Sequence, residues 1–261
     1  LAGHKTVNTL GNINLATAFG LGAREVISLV GGGGKSILMR KLAGELELTR
    51  QPVITTTTTH ILLSQATGHL ILEEEPESLL EKAVLAISDH AHLTLACKQE
   101  ASGKLSGPDT ATIDKLAGCA GCLIIEADGA NQKPLKIPNA TEPVIAGSTT
   151  LVVAMVGIDC LGQPARQTLF RYDLAADIIG VGADDTITPQ VVAALLEHPR
   201  GITKGSPPGA RKIVFINKIE SDEDLMGALD ITRRLSGHPM FSRVIMGRLT
   251  AADPVIGVIR L

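Results

Sequence analysis

Val30-Gly31-Gly32-Gly33-Gly34-Lys35-Ser36 joins the apolar run Glu25–Val30 to a helix-patterned segment, Lys35–Leu48. A buried strand turning through glycines into a helix belongs to an α/β fold, and backbone N–H groups at such a helix start can converge on an anion. Lys35 adds a point charge for outer phosphates, and the Ser36 hydroxyl suits Mg²⁺. The stretch therefore reads as a nucleotide site made by Gly31, Gly32, Gly33, Gly34, Lys35 and Ser36. Consecutive glycines forfeit roughly 1 kcal/mol each relative to Ala, a cost that points to close backbone approach to a ligand. The bland alternative is a flexible glycine turn followed by an incidental Lys-Ser.

The spacing departs from the common phosphate loop, GxxxxGK[ST]. The position five before Gly34 is Leu29, inside the strand, and counting from Gly31 gives a shortened GxxGKS. Ordinary loop geometry is therefore not assumed.

Outward from this turn, apolar runs recur at Glu25–Val30, Pro52–Thr57, His92–Ala96, Cys122–Ala127, Thr150–Val156, Lys212–Ile216 and Ser242–Met246. Helix-patterned segments lie between them at Lys35–Leu48, Glu77–Ser88, Asp109–Ala117, Thr188–Glu197 and Asp222–Leu235. Alternation of this kind predicts a mostly parallel sheet of about seven strands flanked by helices, a P-loop NTPase-like three-layer sandwich. Near-continuous apolar character predicts strands covered on both faces. Neither a repeat nor a low-complexity linker divides the chain, so a single nucleotide-binding domain is expected over 1–261.

Three further segments complete the expected site. Glu126-Ala-Asp128-Gly129 ends an apolar strand and has the form of a Walker B element, in which Glu126 and Asp128 hold Mg²⁺ with Ser36 or position a nucleophile. Alternation along a strand would point both carboxylates to one face. Lys35, Glu126 and Asp128 are thus the candidate catalytic groups. The run Thr55–Thr59 followed by His60 offers hydroxyls for phosphate or magnesium, with Thr57, Thr58, Thr59 and His60 as switch candidates. Strand propensity of threonine explains part of that run, and His60 reads equally as a general base or a helix start. Asn217-Lys218-Ile219-Glu220 resembles the guanine-reading NKxD, with Glu in place of Asp, so Asn217, Lys218 and Glu220 are candidate base contacts and GTP or ATP, with Mg²⁺, is the expected cofactor.

Composition narrows the alternatives. Among 261 residues, 44% are hydrophobic and 2% aromatic, with no Trp, one Tyr and a net charge of −3. The core must be aliphatic, no stacking platform for single-stranded nucleic acid is available, and no nucleic-acid partner is expected. No apolar run approaches the ~20 residues of a membrane span and no charged-then-apolar leader is seen; the expected compartment is the cytoplasm, without a membrane partner. Cys97, Cys119, Cys122 and Cys160 form no disulfide framework in a chain of this length. Cys119-Ala-Gly-Cys122 is a lone CxxC at the start of a strand, about 20 Å along it from Asp128, and packing is its expected role. Glu73-Glu74-Glu75 reads as a loop or helix entrance.

Together, Val-Gly-Gly-Gly-Gly-Lys-Ser, Thr-Thr-Thr-Thr-His, Gly103-Lys104-Leu105, Glu126-Ala-Asp128-Gly-Ala, Lys133-Pro-Leu-Lys136-Ile-Pro, Glu142-Pro-Val and Asn217-Lys-Ile-Glu220 resemble the selenium-dependent hydroxylase accessory family of the YqeC type. The likeness runs from about Leu21 to Leu249, and the order EADGA, KPLKIP, EPV is its specific part. It implies a P-loop nucleotide-binding protein that takes part in maturing selenium-dependent molybdenum hydroxylases. A molybdenum hydroxylase, or its cofactor-loading proteins, would be the partner. Lys104, Lys133 and Lys136 would hold an anionic second ligand or be solvated loop lysines, the latter being the expectation. Arg171 would stabilise charge at the site or form a surface salt bridge. Three activities remain open: a Mg²⁺-dependent NTPase, a small-molecule kinase with Asp128 as base, and a non-hydrolysing nucleotide-binding scaffold.

Overall fold

The computed structural model describes residues 13–261; the first twelve residues of the single domain expected over 1–261 lie outside the described residues. Nine strands form one sheet among the described residues. They are β1 (Glu25–Gly31), β2 (Val53–Thr57), β3 (His69–Leu72), β4 (His92–Ala96), β5 (Cys122–Glu126), β6 (Leu151–Gly157), β7 (Arg211–Asn217), β8 (Arg243–Gly247) and β9 (Val255–Arg260). Their spatial order is β9-β8-β7-β6-β1-β5-β2-β4-β3. All neighbours run parallel except the edge pair β8–β9.

Side-chain alternation divides each central strand between two cores. On β6, Val152, Ala154 and Val156 join one buried cluster, while Leu151, Val153 and Met155 join the other. The second cluster is closed by α1 (Leu15–Phe19) and α2 (Lys35–Leu48), the first by α3 (Pro76–Ala86), α4 (Thr110–Leu116), α5 (Pro189–Glu197) and α6 (Asp222–Leu235). Helix, sheet and helix layers follow directly. In α2, Leu38, Met39, Leu42, Ala43 and Leu46 recur at three- and four-residue steps and are buried as one stripe. Each large aliphatic side chain in that stripe contributes roughly 1.5–3 kcal/mol of burial free energy.

The mostly parallel three-layer α/β architecture matches the expectation, with two more strands than the seven apolar runs. Both additions sit at sheet edges. β3 has only one buried residue of four, and β9 mixes exposed and half-buried positions around Gly257. An edge strand lacks the continuous apolar run of a doubly covered one, so these two carry little sequence signal.

β1 sits centrally between β6 and β5, with Gly31 opposite Met155 and Leu29 opposite Glu126. The glycine turn after β1 and the acidic end of β5 thus meet at the carboxyl edge of the sheet, where open parallel sheets bind ligands. No helix of the described residues is long and apolar enough to cross a membrane.

Candidate functional site

The turn Gly31–Gly34 threads between other backbone segments. A Cβ on Gly32 would lie 2.5 Å from the Lys133 carbonyl oxygen, and one on Gly34, where φ is +125°, 2.7 Å from Asn217 Nδ2. Glycine is therefore demanded by the crossing of the protein's own chain, and its entropic cost needs no ligand to explain it.

Three of the glycine N–H groups are already engaged. Gly31 donates to Asp128 Oδ2 at 3.1 Å, Gly32 to the Met155 carbonyl at 3.0 Å and Gly33 to the Lys133 carbonyl at 3.1 Å. The N–H groups of Gly34, Lys35, Ser36 and Ile37 find no acceptor among the described residues, as expected for the first turn of a helix. All four residues line a cavity of about 430 Å³. The N–H groups left free at this turn thus begin at its last glycine, Gly34, and belong to the start of α2.

Lys35 is buried there, donating to the Gly31 carbonyl at 2.5 Å and lying 3.1 Å from Asp128 Oδ1. Ser36 donates its hydroxyl to Glu126 Oε2 at 2.7 Å and accepts from Gln65 Nε2 at 2.7 Å. Burial pushes the Glu126 carboxyl above its ordinary range, and Lys35 with the Ser36 hydroxyl only partly offsets this. A buried carboxylate with too little compensation favours a cation beside it.

The two carboxylates do not share a face. β5 ends at Glu126, so strand alternation stops there. Glu126 lines the cavity, whereas Asp128 does not; it is 1% exposed and lies 3.1 Å from both Lys35 and Lys136. Asp128 is committed to the two lysines and to the glycine turn, and the carboxylate that faces the cavity beside Ser36 is Glu126.

Lys136 departs furthest from expectation. Read as a solvated loop lysine, it is 0% exposed. It pairs with Asp128 at 3.1 Å and Glu142 at 2.8 Å, donates to the Gly129 carbonyl at 2.5 Å, and lies 5.8 Å from the Phe170 ring centre. Glu142 also pairs with Arg171, whose guanidinium covers the same ring at 4.6 Å. Arg171 does not form a surface bridge; it takes φ +62° before a 3₁₀ turn and closes the chain Lys35–Asp128–Lys136–Glu142–Arg171. The KPLKIP and EPV segments meet through the Lys136–Glu142 pair.

The remaining candidates separate. Thr57 donates to the Glu126 carbonyl at 2.7 Å and Thr58 to the Val144 carbonyl at 2.8 Å, while the Thr59 N–H donates to Thr57 at 3.0 Å. These hydroxyls brace the ends of β2 and β5, and the three threonines are not in the cavity wall. His60 is in that wall, on a strand rather than at a helix start, beside Leu62 and Lys104 of a small sheet formed by His60–Leu62, Lys98–Gln99 and Lys104–Ser106. Asn217 donates to the Gly33 carbonyl at 2.7 Å and accepts from the Leu249 N–H at 2.9 Å, tying the glycine turn to the segment after β8. Lys218 lines the cavity with φ +68° and pairs with Asp159 at 2.6 Å. Glu220 is exposed outside it, at the entrance to α6.

Lys133, with its side chain donated to the Gln167 carbonyl, also lines the cavity, next to Asn131 and Gln132 in left-handed conformations. Among the described residues the wall therefore carries Lys35, Lys104, Lys133 and Lys218 against the single carboxylate of Glu126. Lys35 and Lys218 are paired with Asp128 and Asp159, which leaves Lys104 and Lys133 to set the sign of the wall, and a positive wall attracts polyanions. Gln65 escaped the sequence reading because it stands outside any chemical pattern. Its only signal is its place shortly after the threonine run.

Cys122 is buried at the start of β5, at the opposite end from Glu126, and burial pushes its thiol up to about 12. Among the described residues no cluster of three His, Cys, Asp or Glu side chains is placed to hold a metal. Ser36 and Glu126 nevertheless fit Mg²⁺, a hard cation that takes one or two protein oxygens together with phosphate oxygens.

Over 229 residues the chain is 31% identical to the Escherichia coli (strain K12) protein named "Uncharacterized protein YqeC", an alignment covering 85% of this chain and 88% of that protein. The family model described as YqeC protein matches residues 27–173, from the middle of β1 through Arg171 and so across the glycine turn, Glu126, Asp128, Lys136 and Glu142. The chain belongs to the YqeC family.

Proposed function

We propose that this protein binds a nucleoside triphosphate with Mg²⁺ and hydrolyses it, acting in the cytoplasm as a maturation factor for selenium-dependent molybdenum hydroxylases. The observation that carries the nucleotide reading is the row of four N–H groups without acceptors, Gly34 to Ile37, opening into a cavity whose wall holds four lysines, two of them already paired, and one carboxylate. Hydrogen bonds from such groups to a charged acceptor contribute about 1.5–3 kcal/mol each. Lys35 would exchange the Gly31 carbonyl for a phosphate oxygen. Ser36 and Glu126 would hold the ion, whose charge offsets that of the β- and γ-phosphates when bound. Glu126, whose burial raises its proton affinity, would also be the carboxylate that orients water.

Base recognition falls to the segment joined by Asn217, with Lys218 on the cavity wall; Glu220 must turn inward to read guanine, so GTP and ATP both enter the test. The kinase version with Asp128 as base is not favoured, because Asp128 faces two ammonium groups away from the cavity. The maturation role, with a molybdenum hydroxylase or its cofactor-loading proteins as partner, is supported by the family likeness alone.

Isothermal titration with Mg-ATP and Mg-GTP tests the site. Lys35→Ala should lose at least about tenfold in affinity, one charge-assisted contact, with Ser36→Ala as a companion should the first variant fold poorly. Unchanged affinity in folded Lys35→Ala would remove the assignment. Phosphate released by the protein alone supports hydrolysis; release that requires an added acceptor argues for transfer instead.

A further inference from the structure

Gln65 ends a 3₁₀ turn, Leu63–Gln65, beside the cavity. Its side-chain amide makes two contacts: Nε2 donates to Ser36 Oγ at 2.7 Å, and Oε1 accepts the Leu62 N–H at 2.6 Å. One amide therefore ties the start of α2 to the start of the turn. The turn is also held by the Ala66 N–H, which donates to the Leu63 carbonyl at 3.1 Å, and Leu62 is paired with Lys104 in the small sheet. Leu62 and Leu63 are each 43% exposed, so whatever moves this turn moves apolar side chains at the surface.

The Ser36 hydroxyl has one proton and two lone pairs. Its proton goes to Glu126, and one lone pair accepts from Gln65. A cation held by Ser36 and Glu126 would draw on the same hydroxyl oxygen, and Gln65 lines the same cavity. The amide hydrogens of Gln65 carry partial positive charge against that position. Cation and amide are in electrostatic competition for one oxygen.

We propose, resting on the magnesium-nucleotide reading above, that Gln65 is a latch: it opposes a divalent cation at Ser36 and passes the occupancy of the site to the surface through the Leu62–Gln65 turn. A ligand shifts such an element only by its differential affinity for the two arrangements. Here that difference is one hydrogen bond, which corresponds to about two- to twelvefold in metal affinity. Loss of the Ser36 contact leaves the amide tethered only at the turn, which loosens its hold on the Leu62 N–H.

The test compares the full chain with Gln65→Ala and Gln65→Glu, titrated with ATP and GTP in EDTA and at graded Mg²⁺, with hydrogen exchange at Leu62 as a second readout. Gln65→Ala should tighten Mg²⁺-dependent binding about two- to twelvefold and leave binding in EDTA unchanged. Gln65→Glu, which keeps an acceptor for Leu62 but cannot donate to Ser36, should tighten it at least as much, and separates latch release from a disordered turn. In the unsubstituted protein, Mg-nucleotide should speed exchange at Leu62 while nucleotide in EDTA does not. Weaker magnesium dependence in both variants, equal effects in EDTA and Mg²⁺, or unaltered exchange at Leu62 would each overturn the latch while leaving nucleotide binding intact. Absence of any nucleotide binding by the unsubstituted protein would instead remove the reading beneath it, and the latch with it.

Discussion

Lys136→Met removes the one ammonium that faces both Asp128 and Glu142. The pairs are 3.1 and 2.8 Å long and the lysine is fully buried. At an effective dielectric of about 20, each attraction is roughly 5–6 kcal/mol before desolvation. Burying the ammonium offsets several kcal/mol of that, and breaking one partner out of a buried pair costs about 3–5 kcal/mol net in measured cases. Neither carboxylate is left alone, since Asp128 keeps Lys35 and the Gly31 N–H, and Glu142 keeps Arg171. Met also fills the volume of the lysine stem beside Phe170. The expected loss is therefore near the lower limit, about 3 kcal/mol, read at pH 7 as a fall in the urea midpoint with an unchanged slope.

A pH series adds a second arm to the same experiment. Burial pushes the Glu142 carboxyl up, but hydrogen bonds and charge from Lys136 and Arg171 outweigh it and hold the group below its ordinary range. A carboxyl depressed on folding stabilises the protein above its unfolded value, about 4.3, and this contribution disappears as pH falls through the folded value. With Lys136 gone the depression shrinks, so the gap between the two proteins should narrow below about pH 4.5. A loss under about 1 kcal/mol at neutral pH, or a gap that is constant with pH, would refute the buried network as described.

Two further variants probe neighbouring groups. Glu126→Gln should raise the melting temperature, because burial penalises the ionised form at neutral pH and the uncharged isostere removes that penalty; magnesium dependence of nucleotide binding should fall, and a lowered melting temperature would count against the assigned burial cost. Asn217→Ala deletes two buried bonds, to the Gly33 carbonyl and from the Leu249 N–H, and should cost about 1–3 kcal/mol in chemical denaturation; a negligible change would show that the turn does not depend on this brace.

The central strands and the helices were legible because a strand covered on both faces must be apolar at every position, as Leu151–Gly157 is. β3 and β9 were not, since an edge strand shows solvent to one side and carries a broken pattern. At the site, Lys35, Ser36 and Glu126 could be placed from their spacing alone, and the structure brings them to one cavity. Close backbone approach at the glycines is legible in the sequence, but not the neighbour that demands it at Gly32, because the Lys133 carbonyl that excludes a Cβ there comes from a distant part of the chain. Lys136 could not be read as buried, because its burial depends on Asp128 and Glu142 closing around it. Asp128 and Glu126 differ in role because β5 stops between them, and strand ends are where sequence patterns are least definite.

Which backbone groups meet the phosphates is what most directly distinguishes the proposed site from an ordinary glycine loop. A structure of the protein with Mg²⁺ and a non-hydrolysable triphosphate, ATP-like or GTP-like according to the titrations, would show this directly. The phosphate oxygens should lie on the N–H groups of Gly34 to Ile37, with Lys35 turned from the Gly31 carbonyl to phosphate and Glu126 beside the metal with Ser36. Phosphates seated on Gly31 to Gly33, or a nucleotide bound away from the start of α2, would contradict it.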